Sequence, residues 1–165
     1  MYDFIKSLIN EGKEPDGTYV GVRLTQESKS KVRKIAKEIN VPNIVPSKKM
    51  HITLIYSRKY LPEFSSHGKL DKPIVAEVDK LHVFQKEGGP RVLTIKLKSP
   101  ELERRHKEIM DGHGATYDFD EYIPHLTLSY NCGNYDEEAH DIRALLGDSL
   151  EIDEEYDQEL DLNWA

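Results

Sequence analysis

Apolar and polar positions alternate in step along two well separated stretches, "HITLIY" at His51–Tyr56 and "HLTLSY" at His125–Tyr130. A period of two marks a strand with one covered face. It puts His51 and Thr53 on one side and Ile52, Leu54 and Tyr56 on the other. In the second stretch His125, Thr127 and Ser129 stand together, opposite Leu126, Leu128 and Tyr130. Both tyrosines are therefore expected in the core, turned away from the histidines, while a polar His-x-Thr pair recurs in the same orientation.

The pattern upstream of each stretch repeats as well. "GTYVGVRL" reads as a strand, followed by a helix over "TQESKSKVRKIAKEI" with Thr25 as its N-cap and Val32, Ile35, Ala36 and Ile39 as its buried stripe. "PRVLTIKL" reads as a second strand, followed by a helix over "SPELERRHKEIM" with Ser99 as N-cap, Pro100 in the first turn and Leu102, His106, Ile109 and Met110 inward. Each cap lies 26 residues before its histidine, so cap, helix, connection and histidine strand keep the same phase in both halves. Between the halves, "SSHGKLDKP" reads as a polar connection, and "IVAEVDKLHVFQ" as a strand paired with "RVLTIKLK" through the turn "KEGGP". After the second motif, Asn134 and Glu137 form a capping-box pattern for a helix with Ala139, Ile142, Leu145 and Leu146 inward; an acidic strand and tail close the chain.

Two strand-helix-strand units must come together to cover their helices, which predicts a single α+β domain over residues 1–165 with two pseudo-symmetric lobes flanking a central cleft. The first lobe falls within about 18–85, the second spans about 90–150, and 151–165 form a C-terminal tail. The two His-x-Thr strands can then face each other across the cleft.

Composition narrows the function. The chain has 165 residues, 38% apolar and 32% charged, with a formal net charge of −7. That balance disfavours a protein that grips long nucleic acids, whose affinity comes mainly from Lys and Arg neutralising phosphates, and leaves small phosphorylated ligands open. The charge is lopsided: Lys29 to Lys49 holds seven Lys or Arg and one acid, Glu38, whereas "GDSLEIDEEYDQELD" is strongly acidic. The lone Cys132 favours a reducing compartment. No apolar run reaches the roughly 20 residues a bilayer span needs, and "MYDFIKSLINEGKEP" lacks a signal-peptide profile, so a cytoplasmic protein without membrane attachment is expected.

Two imidazoles across a cleft suit phosphodiester cleavage, because one can take a proton from an attacking hydroxyl while the other gives one to the leaving oxygen. Histidine ordinarily titrates near pH ~6.5, so both protonation states coexist close to neutrality. Each threonine hydroxyl can donate to a non-bridging oxygen as charge builds in the transition state. The arrangement calls for no metal and no cofactor. His51, Thr53, His125 and Thr127 are the candidate catalytic residues; the alternative is duplication of a scaffold without chemistry.

With these motifs the chain resembles the two-histidine (2H) phosphoesterase superfamily, marked by paired His-x-Thr motifs with hydrophobic x on strands of a bilobal pseudo-symmetric fold; here they are "HIT" and "HLT". Within it, the chain looks most like the phage anti-CBASS phosphodiesterases, which destroy cyclic oligonucleotide signals of bacterial antiviral defence. That likeness rests on compact size, on Tyr19 in the first strand 32 residues before His51, and on the aromatic-bearing acidic tail ending "LNWA". The resemblance implies metal-independent attack of a ribose 2'-hydroxyl on the adjacent 3'-5' phosphodiester of a cyclic di- or trinucleotide, giving a 2',3'-cyclic phosphate, in a host bacterial cytoplasm. It does not specify a protein partner, nor which histidine is base and which acid. Two other readings are an RNA-processing 2H enzyme acting on 2',3'-cyclic ends or 2'-5' linkages, and a non-catalytic nucleotide sponge.

Nucleotide bases need flat surfaces, and stacking on an aromatic side chain is worth about 1–3 kcal/mol per base. Tyr19, Phe84 and Trp164 are the candidates. Tyr19 is carried from the resemblance and reads equally as a half-buried strand residue; Phe84 lies near the central hairpin and reads also as core. Trp164 is either part of a lid, as the resemblance suggests, or a plug in an apolar patch. His106 and His113, seven apart, suggest packing against the sheet over a metal pair, since no third ligand accompanies them. Lys48 and Lys49, just before His51, can attract phosphate or simply be solvated.

Overall fold

Each half of the chain builds around a capped helix, as its pattern predicts. In the computed structural model, which describes residues 15–160, Thr25 accepts the Ser28 N–H and opens α1, Gln26–Glu38, whose Val32 and Ala36 are buried. Ser99 accepts the Leu102 N–H and opens α2, Pro100–His113, whose Leu102 and Ile109 are buried; Gly114 ends it with φ 65°, a left-handed stop that glycine adopts without steric cost. Both cap oxygens satisfy backbone donors that the first helical turn leaves free.

Six strands, β1 Gly17–Leu24, β2 Ile52–Ser57, β3 Gly68–Gln85, β4 Arg91–Lys98, β5 His125–Ser129 and β6 Ser149–Leu160, pair antiparallel in the order β1-β2-β5-β4-β3-β6 and close on themselves as β6 joins β1 to β3. The arrangement is the expected bilobal α+β fold: β1-α1-β2 mirrors β4-α2-β5 about the junction between β2 and β5. That junction has a single paired position, Ile52 with Leu126. The expected central hairpin is β3 with β4, in register from Glu77–Lys98 to Gln85–Arg91 apart from one shift. The core is the layer of aliphatic side chains under the helices, including Leu54, Ile55, Leu93, Ile95 and Leu126, all fully buried.

Three expectations need correction. The polar stretch before the hairpin enters the sheet at Gly68 and pairs with β6, slipping register between Lys69 and Ile74. The capping box at Asn134 and Glu137 is not used, because Glu137 turns to Arg91 at 3.4 Å. Glu137–Ala139 is instead one 3-10 turn opened by Asp136, and α3, Ile142–Leu146, is capped by Asp141; Ile142 and Leu146 are buried while Ala139 and Leu145 are exposed.

The third concerns strand parity. In β2, Val20 faces Ile55 but the next residue, Gly21, faces Thr53, so Leu54 is an extra residue. In β5, Leu93 faces Ser129 but Thr94 faces Thr127, so Leu128 is extra. Each bulge reverses the alternation beyond it. Ile55 and Ser129 consequently go inward, Tyr56 stands half-exposed, and Tyr130 is 54% exposed rather than in the core.

Candidate active site

The pairing of Ile52 with Leu126 is antiparallel, so the register it sets runs crosswise: His51 falls opposite Thr127, and Thr53 opposite His125. The two bulges occupy equivalent places, one residue past each threonine, and each is clasped by the opposite lobe. The Leu54 carbonyl accepts the Nδ1–H of His106, from α2, at 2.7 Å; the Leu128 carbonyl accepts the backbone N–H of Val45, from the connection between α1 and β2, at 2.8 Å. One residue back, the Thr53 carbonyl accepts the Tyr122 hydroxyl at 2.8 Å. Three carbonyls at or beside the bulges thus accept hydrogen bonds from the other lobe, which ties the histidine strands together.

Both candidate imidazoles are held alike. His51 Nδ1 bonds the Lys49 carbonyl at 2.8 Å, and His125 Nδ1 bonds the Ile123 carbonyl at 3.1 Å. Because a carbonyl only accepts, Nδ1 carries hydrogen in both rings and Nε2 is left for chemistry: a lone pair when the ring is neutral, a donor when it is protonated. His51, Thr53, His125 and Thr127 are all half-buried, within reach of a ligand yet on strands backed by core.

Aromatic rings flank each histidine. Tyr19 meets His51 edge to face with centroids 5.9 Å apart. At 8% exposure its ring has no open face, so it is not placed to stack on a base; its hydroxyl instead shares a 2.9 Å hydrogen bond with Thr53 Oγ1. Burial, reinforced by neighbouring Tyr156, pushes the Tyr19 phenol far above its ordinary range, so it stays protonated. Phe84 is 41% exposed and stands edge-on to His125 at 6.2 Å. Trp164 lies outside the described residues.

Sequence patterns did not point to Tyr122 or Tyr156. Tyr122 stacks on His106 with centroids 4.3 Å apart and planes 6° apart, and Tyr117 packs edge-on to both. This explains His106, a support for the site strand, while His113 meets Phe64. Among the described residues no three His, Cys, Asp or Glu side chains gather as around a metal ion. Beside His51 opens a cleft of about 700 Å³, lined in part by Arg23, Asn43, Lys48, Lys49, Tyr130 and Tyr156. The bulge past Leu128 brought Tyr130 there, a displacement that local alternation does not encode.

Two pseudo-symmetric lobes with a His-x-Thr strand in each define a two-histidine phosphoesterase fold. TT0787 of Thermus thermophilus superposes with a TM-score of 0.51 at 16% identity, over 85% of this chain and 82% of that one. Escherichia coli LigT, solved complexed with phosphate, superposes with a TM-score of 0.50 at 14% identity, over 93% and 92%. The family model of anti-CBASS protein Acb1 matches residues 16–165, and the chain belongs to that family. The anti-CBASS protein Acb1 of Yersinia phage phiR1-RT is 36% identical over 152 residues, 91% of this chain and 92% of that protein. Its counterpart in Enterobacteria phage T4 is 34% identical over 152 residues, 90% and 91%. No described helix is long and apolar enough to cross a membrane.

Proposed function

We propose that this protein is a metal-independent phosphodiesterase that opens 3'-5' bonds of cyclic oligonucleotide second messengers and thereby disarms CBASS in the host bacterial cytoplasm. The observation that carries the reading is the crosswise meeting of the two motifs at Ile52 and Leu126, with both Nδ1 atoms tied to carbonyls. In this role a phosphodiester lies between the two Nε2 atoms. One neutral imidazole takes the proton of the ribose 2'-hydroxyl as O2' bonds to phosphorus; the P–O5' bond breaks, and the other imidazolium gives its Nε2 proton to O5'. The products are a 2',3'-cyclic phosphate and a free 5'-hydroxyl, and the substrate supplies its own nucleophile.

The threonines stabilise the charge that builds on the non-bridging oxygens. Tyr19, kept protonated by burial, shares a hydrogen bond with Thr53 Oγ1 and so holds that hydroxyl in place beside the phosphate. Family membership supports the substrate class, since CBASS signalling runs on cyclic oligonucleotides, and the net charge of −7 favours a small ligand over long RNA.

The test is to incubate the protein in EDTA with cyclic di- and trinucleotides, 2'-5' oligoadenylate and RNA bearing a 2',3'-cyclic end, then to resolve products by mass. Ring opening with a 2',3'-cyclic phosphate is expected, and His51→Ala and His125→Ala should each lower the rate by roughly 10²–10⁴-fold while leaving the melting temperature in place. Cleavage confined to 2'-5' or cyclic-ended RNA would reassign the substrate. Tight binding without turnover would make the protein a sponge.

A further inference from the structure

A ring of two or three nucleotides carries as many phosphodiesters, yet only one can lie between the imidazoles at a time. If the proposed reaction holds, the remaining phosphate and its nucleoside need a place beside the site. The 700 Å³ cleft that opens at His51 is within the range of small-ligand pockets and larger than a lone phosphate requires.

Its walls come from both lobes and are tied together. Asn43 sits in the left-handed region with φ 54°, a conformation that costs a non-glycine residue energy. It is held there as its side-chain amide donates to the Asn131 carbonyl at 2.9 Å. Next to it, Ile44 bridges to Ser129 and Val45 donates to Leu128. The connection between α1 and β2 is therefore fastened to the end of β5, and these bonds hold the two walls of the cleft together.

Its charge and surface match a nucleotide. Arg23 is already engaged, 3.0 Å from Glu154 and 3.7 Å from the centroid of the Tyr156 ring. Lys48 and Lys49 are exposed on the rim, and among the described residues neither makes an ion pair, in a protein with an excess of acid. Tyr130 presents an exposed ring in the same cleft. Two lysines without an ion pair among the described residues and an exposed aromatic ring around one cavity are the elements that recognise a phosphate with an attached base.

We propose that this cleft is the subsite for the part of the cyclic oligonucleotide remote from the scissile bond, with Lys48 and Lys49 taking a second phosphodiester and Tyr130 stacking a base. The linear dinucleotide ApA, which has one phosphodiester, separates this role from the chemistry. Steady-state kinetics with cyclic di-AMP, cyclic tri-AMP and ApA compare the wild type with Lys48→Gln/Lys49→Gln and with Tyr130→Ala, all changes of exposed side chains. KM for the better ring substrate should rise about tenfold in each variant with kcat within about threefold, and kcat/KM for ApA should fall at least five times less than that for the ring. An equal fall for ring and ApA, or an unchanged ring KM, overturns the subsite.

Should the wild type cleave none of the three, the proposed reaction fails, and calorimetric binding of the two rings then decides the subsite alone. Roughly tenfold weaker binding by the variants upholds it. Equal binding, or no binding by the wild type, overturns it.

Discussion

The hydroxyl of Tyr122, in the segment that leads into β5, donates to the carbonyl oxygen of Thr53 in β2 at 2.8 Å. The bond crosses from one lobe to the other and ends on a residue whose side chain faces the site. It accompanies the His106 bond to the Leu54 carbonyl, so two consecutive backbone oxygens of the bulged strand depend on one stacked pair of rings.

Tyr122→Phe keeps the stack and removes that donor. Removing the donor from this partly buried carbonyl costs about 1 kcal/mol, and urea denaturation should read a loss of that size. On the proposed reaction, turnover should fall with it as Thr53 loosens. Stability equal to wild type would show that the bond does not hold the strand.

Tyr19→Phe tests whether the phenol positions Thr53. The ring remains packed against His51 and Tyr156, so folding should be little changed. On the proposed reaction, kcat should drop about tenfold with KM nearly constant, short of the roughly 10²–10³-fold cost of removing a donor that itself contacts the charge. Because Tyr19 acts through Thr53, the Tyr19→Phe/Thr53→Val double variant should be no slower than Thr53→Val alone. Additive losses would assign Tyr19 an independent role.

Acid should weaken the fold partly through His106. Burial holds its imidazole below the ordinary value, and the hydrogen bond to the Leu54 carbonyl opposes this with a smaller effect. An unfolded chain takes up that proton near pH ~6.5, the folded one only at lower pH. The unfolded state therefore binds more protons in between, and the contribution of His106 is complete above pH ~6.5 and lost as pH falls through the folded value. His82 is shifted the same way, by burial and then by Lys96 and Lys80, so the diagnostic is a difference. Between pH 7.5 and 5.5 the urea midpoint of His106→Gln should fall by less than that of the wild type; parallel curves would exclude His106 as a contributor.

Arg105 and Glu155 bind α2 to β6. Glu155 is 3% exposed and takes two charged hydrogen bonds from Arg105, at 2.9 and 2.8 Å, and one from the His67 backbone N–H at 3.0 Å. Arg105→Met strands a buried carboxylate and should cost about 3–5 kcal/mol, whereas Arg105→Met with Glu155→Leu should recover much of it, because the buried charge has gone as well. Equal losses in the two proteins would place the energy in packing of the arginine stem.

The amino-acid sequence by itself determined the helices with their Thr25 and Ser99 caps, the central hairpin, the order of elements and the paired His-x-Thr motifs. The helices depend on periodicity and on bonds between residues three or four apart, and the hairpin on alternation around a short turn, which a stretch of chain carries with it. Tertiary structure decided the features that arise from pairing between distant strands. The extra residues at Leu54 and Leu128 exist only against β1 and β4, and they turned Tyr130 from an expected core residue into a wall of the cleft. Tyr19 became a buried anchor for Thr53 because β6 covers it with Tyr156, and Tyr122 found the Thr53 carbonyl only once the lobes met. A bulge has no local signature: its energy is set by hydrogen bonds to a partner strand, and both the shape of the site and the support behind it are written in those long-range bonds.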